Sequence, residues 1–390
     1  MTKRPDPNTI ALIERLIAFD TTSRESNLDL IAFIRDQLTA IGVESTLIPD
    51  ETGTKANLYA TIGPADVPGV MLSGHTDVVP VDGQDWASDP FAATLKGGKM
   101  FGRGTADMKS FIALCLHFAP RFKAAKLTMP IHLAFSYDEE IGCIGARRLV
   151  ESINGLPVKP AMCVVGEPTS MEVMIAHKGK VDMRVTVTGL EAHSSHTTAG
   201  VNAIEYAARL IARLGDLGAA KAEAGPFDPD YIVPHSTVHV GVIRGGTALN
   251  IVPKSCWFDF EIRYIPGDDV MPIIEEMKAF ARDELEPKMH AVDAATGIDF
   301  EERINYPGMN TAPDADVVAF VKALAGKNDH GKVAYGTEGG LFQSQAGIPT
   351  VICGPGDIAQ AHKPDEFISL DQLARGEAFF ERLLAELTRI

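Results

Sequence analysis

The stretch VDMRVTVTG, residues 181–189, decides the fold. Its apolar and polar residues alternate, the two-residue period of a strand with one face in a core and the other in water. The extended segments before it read differently. ANLYATI (56–62), GVMLSGHTDVV (69–79), PIHLAFSYDEE (130–140) and PAMCVVGEPT (160–169) are mostly apolar runs. They alternate with helical segments such as MKSFIALCLHF (108–118) and a short one through Ala146 to Val150, so they imply an α/β sheet covered on both faces. From residue 181 the order changes to strand, helix (201–215), strands (237–243 and 255–265), helix (269–285) and strand (298–306). This βαββαβ order is that of a ferredoxin-like module. After Pro307 the first pattern resumes, with a helix at 314–326, the strand TVICG at 350–354 and a last helix at 369–387. The expected fold class is therefore α/β: a discontinuous domain, 1–179 and 309–390, interrupted by a ferredoxin-like insertion, 180–308.

At the N-terminal side two helices are expected. Asn8 is placed to cap the first, with Ile10, Ile13, Leu16 and Ile17 on one face; Asn27 caps the second, and Gly42 ends it in the C′ position. Glu14 and Arg15 interrupt the apolar run that follows the charged start, so the segment reads as a helix of a cytoplasmic protein and not as a signal peptide.

Composition narrows the function. A chain of 390 residues exceeds one ordinary core, which favours two domains. With 45% hydrophobic and 23% charged residues it is not a disordered chain. The 36 Lys and Arg against 52 Asp and Glu, net −16, speak against a nucleic-acid partner. No apolar run reaches the roughly 18 residues that a membrane span needs. The five cysteines are odd in number and widely spaced, so neither a disulfide framework nor a CxxC zinc site is expected, and they are expected to stay out of any metal site.

The chemistry gathers in five short segments: His75 and Asp77 in GHTDVVP, Asp107 in GRGTADMK, Glu139 and Glu140 in SYDEE, Glu167 in GEPT, and His362 in AHKPDE. Taken singly, HTD is a polar turn, EE a solvated loop and His362 a surface residue. GRGTAD lacks the GK[ST] ending of a phosphate loop, and no GxSxG elbow exists. Together the segments stand at the ends of predicted strands of one domain, where sites of open α/β sheets gather. Imidazole and carboxylate suit a borderline cation such as zinc, and more than four such ligands suit two ions.

The order and spacing of these segments resemble the M20 metallopeptidase family of co-catalytic zinc deacylases and aminopeptidase-like enzymes, through nearly the whole chain. The resemblance implies that His75, Asp107 and Glu167 bind one metal ion and Asp107, Glu140 and His362 the other, with Asp107 bridging. Asp77 would accept a hydrogen bond from His75, and Glu139 would be the general base. The ions would be Zn2+, with Co2+ as the alternative. His193, in GLEAHSS, matches a family histidine that reaches the partner subunit's site and polarises the carbonyl, which implies a homodimer through the insertion; His196 is a lesser competitor. Arg263 on FEIRY resembles the arginine that holds a substrate carboxylate, and Asn250 and the GTEGG segment beginning at Gly336 match substrate-side positions, although GTEGG also reads as a tight turn.

The implied reaction is hydrolysis of a small-molecule N-acyl amino acid. Within the family the resemblance, carried most by the segment 336–368, implies N2-acetyl-L-ornithine as the substrate, giving L-ornithine and acetate in arginine biosynthesis. The alternatives are desuccinylation of N-succinyl-diaminopimelate, another N-acyl-amino-acid deacylation, or a non-catalytic binding protein of the same fold. The succinylated compound is doubly negative and acetylornithine neutral overall. Arg263, Lys109 and Lys363 are the few basic groups in these segments, which leans to the neutral substrate.

Overall fold

The computed structural model describes residues 4–389; residues 1–3, the beginning of the charged start of the sequence, lie outside them. The chain divides into two compact units. Of the described residues, one unit holds 4–177, Met309–Lys332 and 337–389, and the other holds Lys178–Gly308 and Val333–Gly336.

The first unit is built on a mixed sheet. Ile131–Ser136, Val70–His75, Met162–Pro168 and Thr350–Gly354 lie side by side in that order and run parallel. Ala56–Ile62 and then Ser45–Pro49 extend one side antiparallel; Met174–His177 and Met309–Asn310 extend the other. Alternation along the strands sends Val70, Leu72, Ile131, Leu133 and Phe135 into one core. Helices Pro7–Ile17, Leu28–Ala40, Lys109–Ala124, Asp316–Ala325 and Leu370–Leu387 contribute to that core. Helices Ile144–Asn154 and Gly339–Ala346 pack on each other and on the sheet. Lys109–Ala124 buries Phe111, Ile112, Leu114, Phe118 and Phe122, each contributing about 1.5–3 kcal/mol of transfer free energy. This anchors the turn that precedes it, where Asp107 sits.

The predicted strands at 69–79 and 130–140 stop earlier, at His75 and Ser136. One further bond between the two strands, from the Thr76 amide to the Ser136 carbonyl at 2.8 Å, follows the last paired residues, so the polar residues of both segments lie at or just beyond strand ends. Asp107 is an exception to the strand-end expectation, because it precedes a helix. The first helix is capped by Asp6, not Asn8: Pro7 begins the helix, and Asp6 Oδ1 accepts from the Asn8 amide at 2.8 Å. Asn27 stands at the predicted cap position but makes no cap bond; its side chain pairs with both the amide and the carbonyl of Ala56, and donates to Thr76 Oγ1. Tertiary pairing has taken the side chain that the local pattern assigned to the helix. Ser45–Pro49, Met174–His177 and the hairpin Thr94–Lys96 with Lys99–Phe101 were not anticipated.

The second unit is an antiparallel sheet in the order Thr237–Gly245, Ser255–Tyr264, Gly179–Thr188, Gly297–Tyr306. Helices Ala203–Ala224 and Met271–Phe280 contribute to its core with Val181, Met183, Val185 and Val187, the apolar set of the opening stretch. The order of elements and the arrangement of strands are ferredoxin-like. Both helical predictions ran short: the first continues to Ala224, and the second passes through Ala281–Leu285 to His290.

Candidate metal centre

Beyond the carboxyl ends of the parallel strands the first unit gathers His75, Asp107, Glu139, Glu140, Glu167 and His362. His75 ends its strand and is buried. Its Nδ1 lies 2.9 Å from the carbonyl oxygen of Asp77. A carbonyl only accepts, so Nδ1 carries the proton and Nε2 is the nitrogen presented to the carboxylates. Nε2 is 3.0 Å from Asp107 Oδ1 and 3.6 Å from Glu167 Oε1. His362 Nε2 is 3.4 Å from Asp107 Oδ2 and 3.1 Å from Glu140 Oε2. The two oxygens of Asp107 thus face two different histidines. One half of the cluster is His75, Asp107 and Glu167; the other is Asp107, Glu140 and His362.

Two local features set this spacing. Gly166 precedes Glu167 and lies so close to Phe111 that a Cβ there would stand 2.1 Å from the ring, which lets the strand end approach the helix that follows Asp107. Asp138 takes a left-handed φ of 54° and turns the chain at Glu139 and Glu140.

The electrostatics describe a pocket short of positive charge. Burial, and after it the neighbouring carboxylate of Asp107, pushes Glu167 well above the usual carboxylate range and raises Glu140. Glu139 is also pushed well above it, by burial and by Glu140 and Glu338 among others. Burial opposes charge on His75, yet Glu167, Asp107 and Asp77 lift it well above an ordinary imidazole. His362 is raised to about 10 by its bonds to Asp107 and Glu140. Burial alone would raise Asp107, but the two histidines hold it low. Glu140 Oε1 is buried without a hydrogen-bond partner. Four carboxylates, two imidazoles and an orphaned oxygen fit cations as ligands. Suitable atoms of His75, Asp107 and Glu140, and likewise of His75, Glu139 and Glu167, lie within 4.8 Å of one another.

Asp77 departs from its expected role. Its carboxylate is 3.5 Å from His75 Nδ1, farther than its own carbonyl. Instead it accepts from Ser23 Oγ at 2.7 Å and from the amides of Glu139 at 3.0 Å and Glu140 at 3.3 Å. The cysteines are all buried and free, but one does not stand clear of the site as expected: Cys143 Sγ is 3.5 Å from Glu139 Oε1. Residues that sequence reasoning passed over complete the surroundings. Glu338 belongs to GTEGG, which leads into the helix Gly339–Ala346 and is not a mere tight turn. Buried, it is pushed up to about 7 and accepts from Ser73 Oγ at 3.2 Å. Glu366 accepts from the amides of Ala106 and Asp107. Both are acids inside quoted motifs, which was the only available signal.

The second unit holds the remaining candidates. His193 is exposed, and its Nδ1 accepts from the Ser195 amide at 3.1 Å, which in the neutral ring leaves the proton on Nε2. His196 Nδ1 pairs with Ser195 Oγ at 2.9 Å. Arg263 is half-buried and its fork is engaged by Glu261 at 2.9 and 3.3 Å. Asn250 is exposed, and its carbonyl accepts from the Ser194 amide. Gly336 touches Tyr306, where a Cβ would stand 2.1 Å from the ring.

Residues 71–386 match the model of peptidase family M20/M25/M40. The chain belongs to peptidase family M20. It is 34% identical over 374 residues to the acetylornithine deacetylase of Proteus mirabilis, covering 93% of this chain and 92% of that one. The acetylornithine deacetylase of Myxococcus xanthus is 35% identical over 384 residues, with 97% of each chain covered. Among solved structures, the M20 metallo-carboxypeptidase Sso-CP2 of Sulfolobus solfataricus superposes with a TM-score of 0.76 at 17% identity, over 98% of this chain and 99% of that one. A dinuclear metal-binding M20 peptidase of Bacillus subtilis gives 0.64 at 16% identity, with 98% of each covered. As a member of M20 the protein is a metal-dependent hydrolase. Among its described residues no helix is long and apolar enough to cross a membrane.

Proposed function

We propose that the protein hydrolyses N2-acetyl-L-ornithine to L-ornithine and acetate, a step of arginine biosynthesis, in the cytoplasm. His75, Asp107 and Glu167 hold one divalent ion and Asp107, Glu140 and His362 the second. The observation that carries the reading is the placement of the two Asp107 oxygens against His75 and His362. The M20 relatives named acetylornithine deacetylase support the substrate.

Zinc or cobalt bound there lowers the pKa of a water toward ~7 and polarises an amide carbonyl. The chain's own groups do the rest. Glu139 adjoins the ligand Glu140, and burial among carboxylates raises its basicity, so it takes the proton of the attacking water as oxygen bonds to the carbonyl carbon. It returns that proton to the amine nitrogen as the C–N bond breaks. His193, with a proton on Nε2, donates to the developing oxyanion from a second copy of the chain, which makes the enzyme a homodimer through the insertion 180–308. Arg263 takes the substrate carboxylate in exchange for Glu261, with Asn250 and Gly336 beside it.

The test is product release by metal-loaded protein from a panel of N-acyl amino acids. Preference for N2-acetylornithine is expected. Preference for N-succinyl-diaminopimelate overturns the substrate, and hydrolysis of none overturns the activity.

A further inference from the structure

Asp107 and His362 lie far apart in sequence, and the second half of the metal centre depends on their spacing. His362 is poorly fixed by itself. Its side chain is 53% exposed, and both it and Asp365 hold left-handed φ angles, 62° and 55°, a conformation that non-glycine residues keep only when their surroundings impose it.

A chain of hydrogen bonds runs from the Asp107 segment to the His362 segment. Glu366 is 1% exposed. Its Oε1 accepts from the amides of Ala106 at 2.8 Å and Asp107 at 3.2 Å, and its Oε2 accepts from Arg103 Nη1 at 2.7 Å. Arg103, also 1% exposed, donates through Nη2 to Gln84 Oε1 at 2.7 Å, and its guanidinium lies 5.1 Å from the Trp86 ring. Gln84 Nε2 then donates to the carbonyl of His362 itself at 3.1 Å. The backbone of one ligand is thereby tied to the backbone of the other through three side chains, none of which is a ligand.

We infer that Gln84, Arg103 and Glu366 are positioning residues that set the distance between Asp107 and His362, and so the affinity for the metal ion held by Asp107, Glu140 and His362. This rests on the metal assignment above. His75 is held separately, by the Asp77 carbonyl and by its strand, so loss of Gln84 reaches only one of the two ions. Side chains that orient ligands in this way typically govern metal affinity by about 10–100-fold.

The experiment is a cobalt titration of metal-free protein followed by calorimetry and visible absorption, on wild type, Gln84→Ala and Arg103→Lys. Wild type is expected to bind two ions per chain. Gln84→Ala is expected to keep the affinity of one ion and to bind the other ~10–100-fold more weakly, with turnover reduced at limiting cobalt and restored by excess; Arg103→Lys, which also loosens Glu366 at the amide of the bridging Asp107, is expected to weaken both ions, the one at His362 more. Arg103 is buried and its variant can fail to fold; Gln84 is half-buried, and Gln84→Ala then decides alone. Unchanged affinities in Gln84→Ala, or equal weakening of both ions, overturn the inference and leave the metal assignment standing. Fewer than two ions in wild type overturns the assignment itself, and the inference with it.

Discussion

The backbone N–H of Glu139 donates to Oδ1 of Asp77 at 3.0 Å. One side chain thus links the turn after the His75 strand to the turn that bears both the proposed base and a proposed ligand. Burial would raise the Asp77 carboxyl, but the nearby His75 imidazole, 3.5 Å away, and the bonds it accepts from Ser23 and Glu139 hold it below its ordinary range, so it remains an acceptor at neutral pH. Asp77→Asn places a donor where one of these acceptors stood. It is expected to lower kcat by at least ~10-fold while most metal is retained, as measured by steady-state kinetics with metal analysis of the same sample. Unchanged kcat would show that the link has no catalytic consequence.

The ligand assignment predicts graded metal loss. His362 stands nearest to Asp107 and Glu140, and His75 nearest to Asp107 and Glu167. His362→Ala and His75→Ala are each expected to bind about one ion per chain where wild type binds about two, as five ligands, one of them bridging, imply. Elemental analysis after dialysis against cobalt decides it; full occupancy in either variant removes that residue from the ligand set.

Stability is expected to fall in acid through a residue outside the site. His132 is buried, its Nε2 has no partner, and burial lowers its pKa from 6.5 to about 4. The folded state therefore stays neutral while the unfolded chain takes a proton, so stability present above pH 6.5 is lost as pH falls toward 4. The loss amounts to about 3 kcal/mol at 1.36 kcal/mol per unit. His132→Gln removes this titration, so the gap between variant and wild type in denaturant midpoints should close or reverse across that window. A gap independent of pH would contradict it.

His193 supplies a test of the dimer. If it serves the site of the other copy, Glu139→Gln and His193→Ala are each nearly inactive, yet a mixed dimer contains one intact site. Unfolding and refolding the two variants together should restore roughly a quarter of wild-type activity, the share expected for random pairing of a two-fold dimer. No recovery, with mixed dimers verified, would place His193 in its own chain's site or outside the mechanism.

Much of this arrangement was legible in the sequence because its signals are local. The alternation of residues 181–189 and the βαββαβ order marked out the inserted module, and His75 and Glu167 were readable as residues at the ends of apolar strands. What escaped depends on distant partners. Nothing near Asn27 announces that Ala56 and Thr76 claim its side chain in place of the helix amides. Nothing near Glu366 announces the Asp107 amide, and Glu338 looked like part of a glycine turn until its helix buried it. The carboxylate of Asp77 was expected at the imidazole and serves the Glu139 turn instead, a choice set by how two strand ends meet.

The central claim is that the buried cluster is a two-ion hydrolytic centre with Glu139 as its base. The direct measurement is turnover of N2-acetylornithine by Glu139→Gln together with its cobalt content. Two ions per chain with kcat reduced at least ~10²-fold is the predicted result. Turnover near that of wild type would contradict the role of Glu139, and loss of one ion would make it a ligand beside His75 and Glu167.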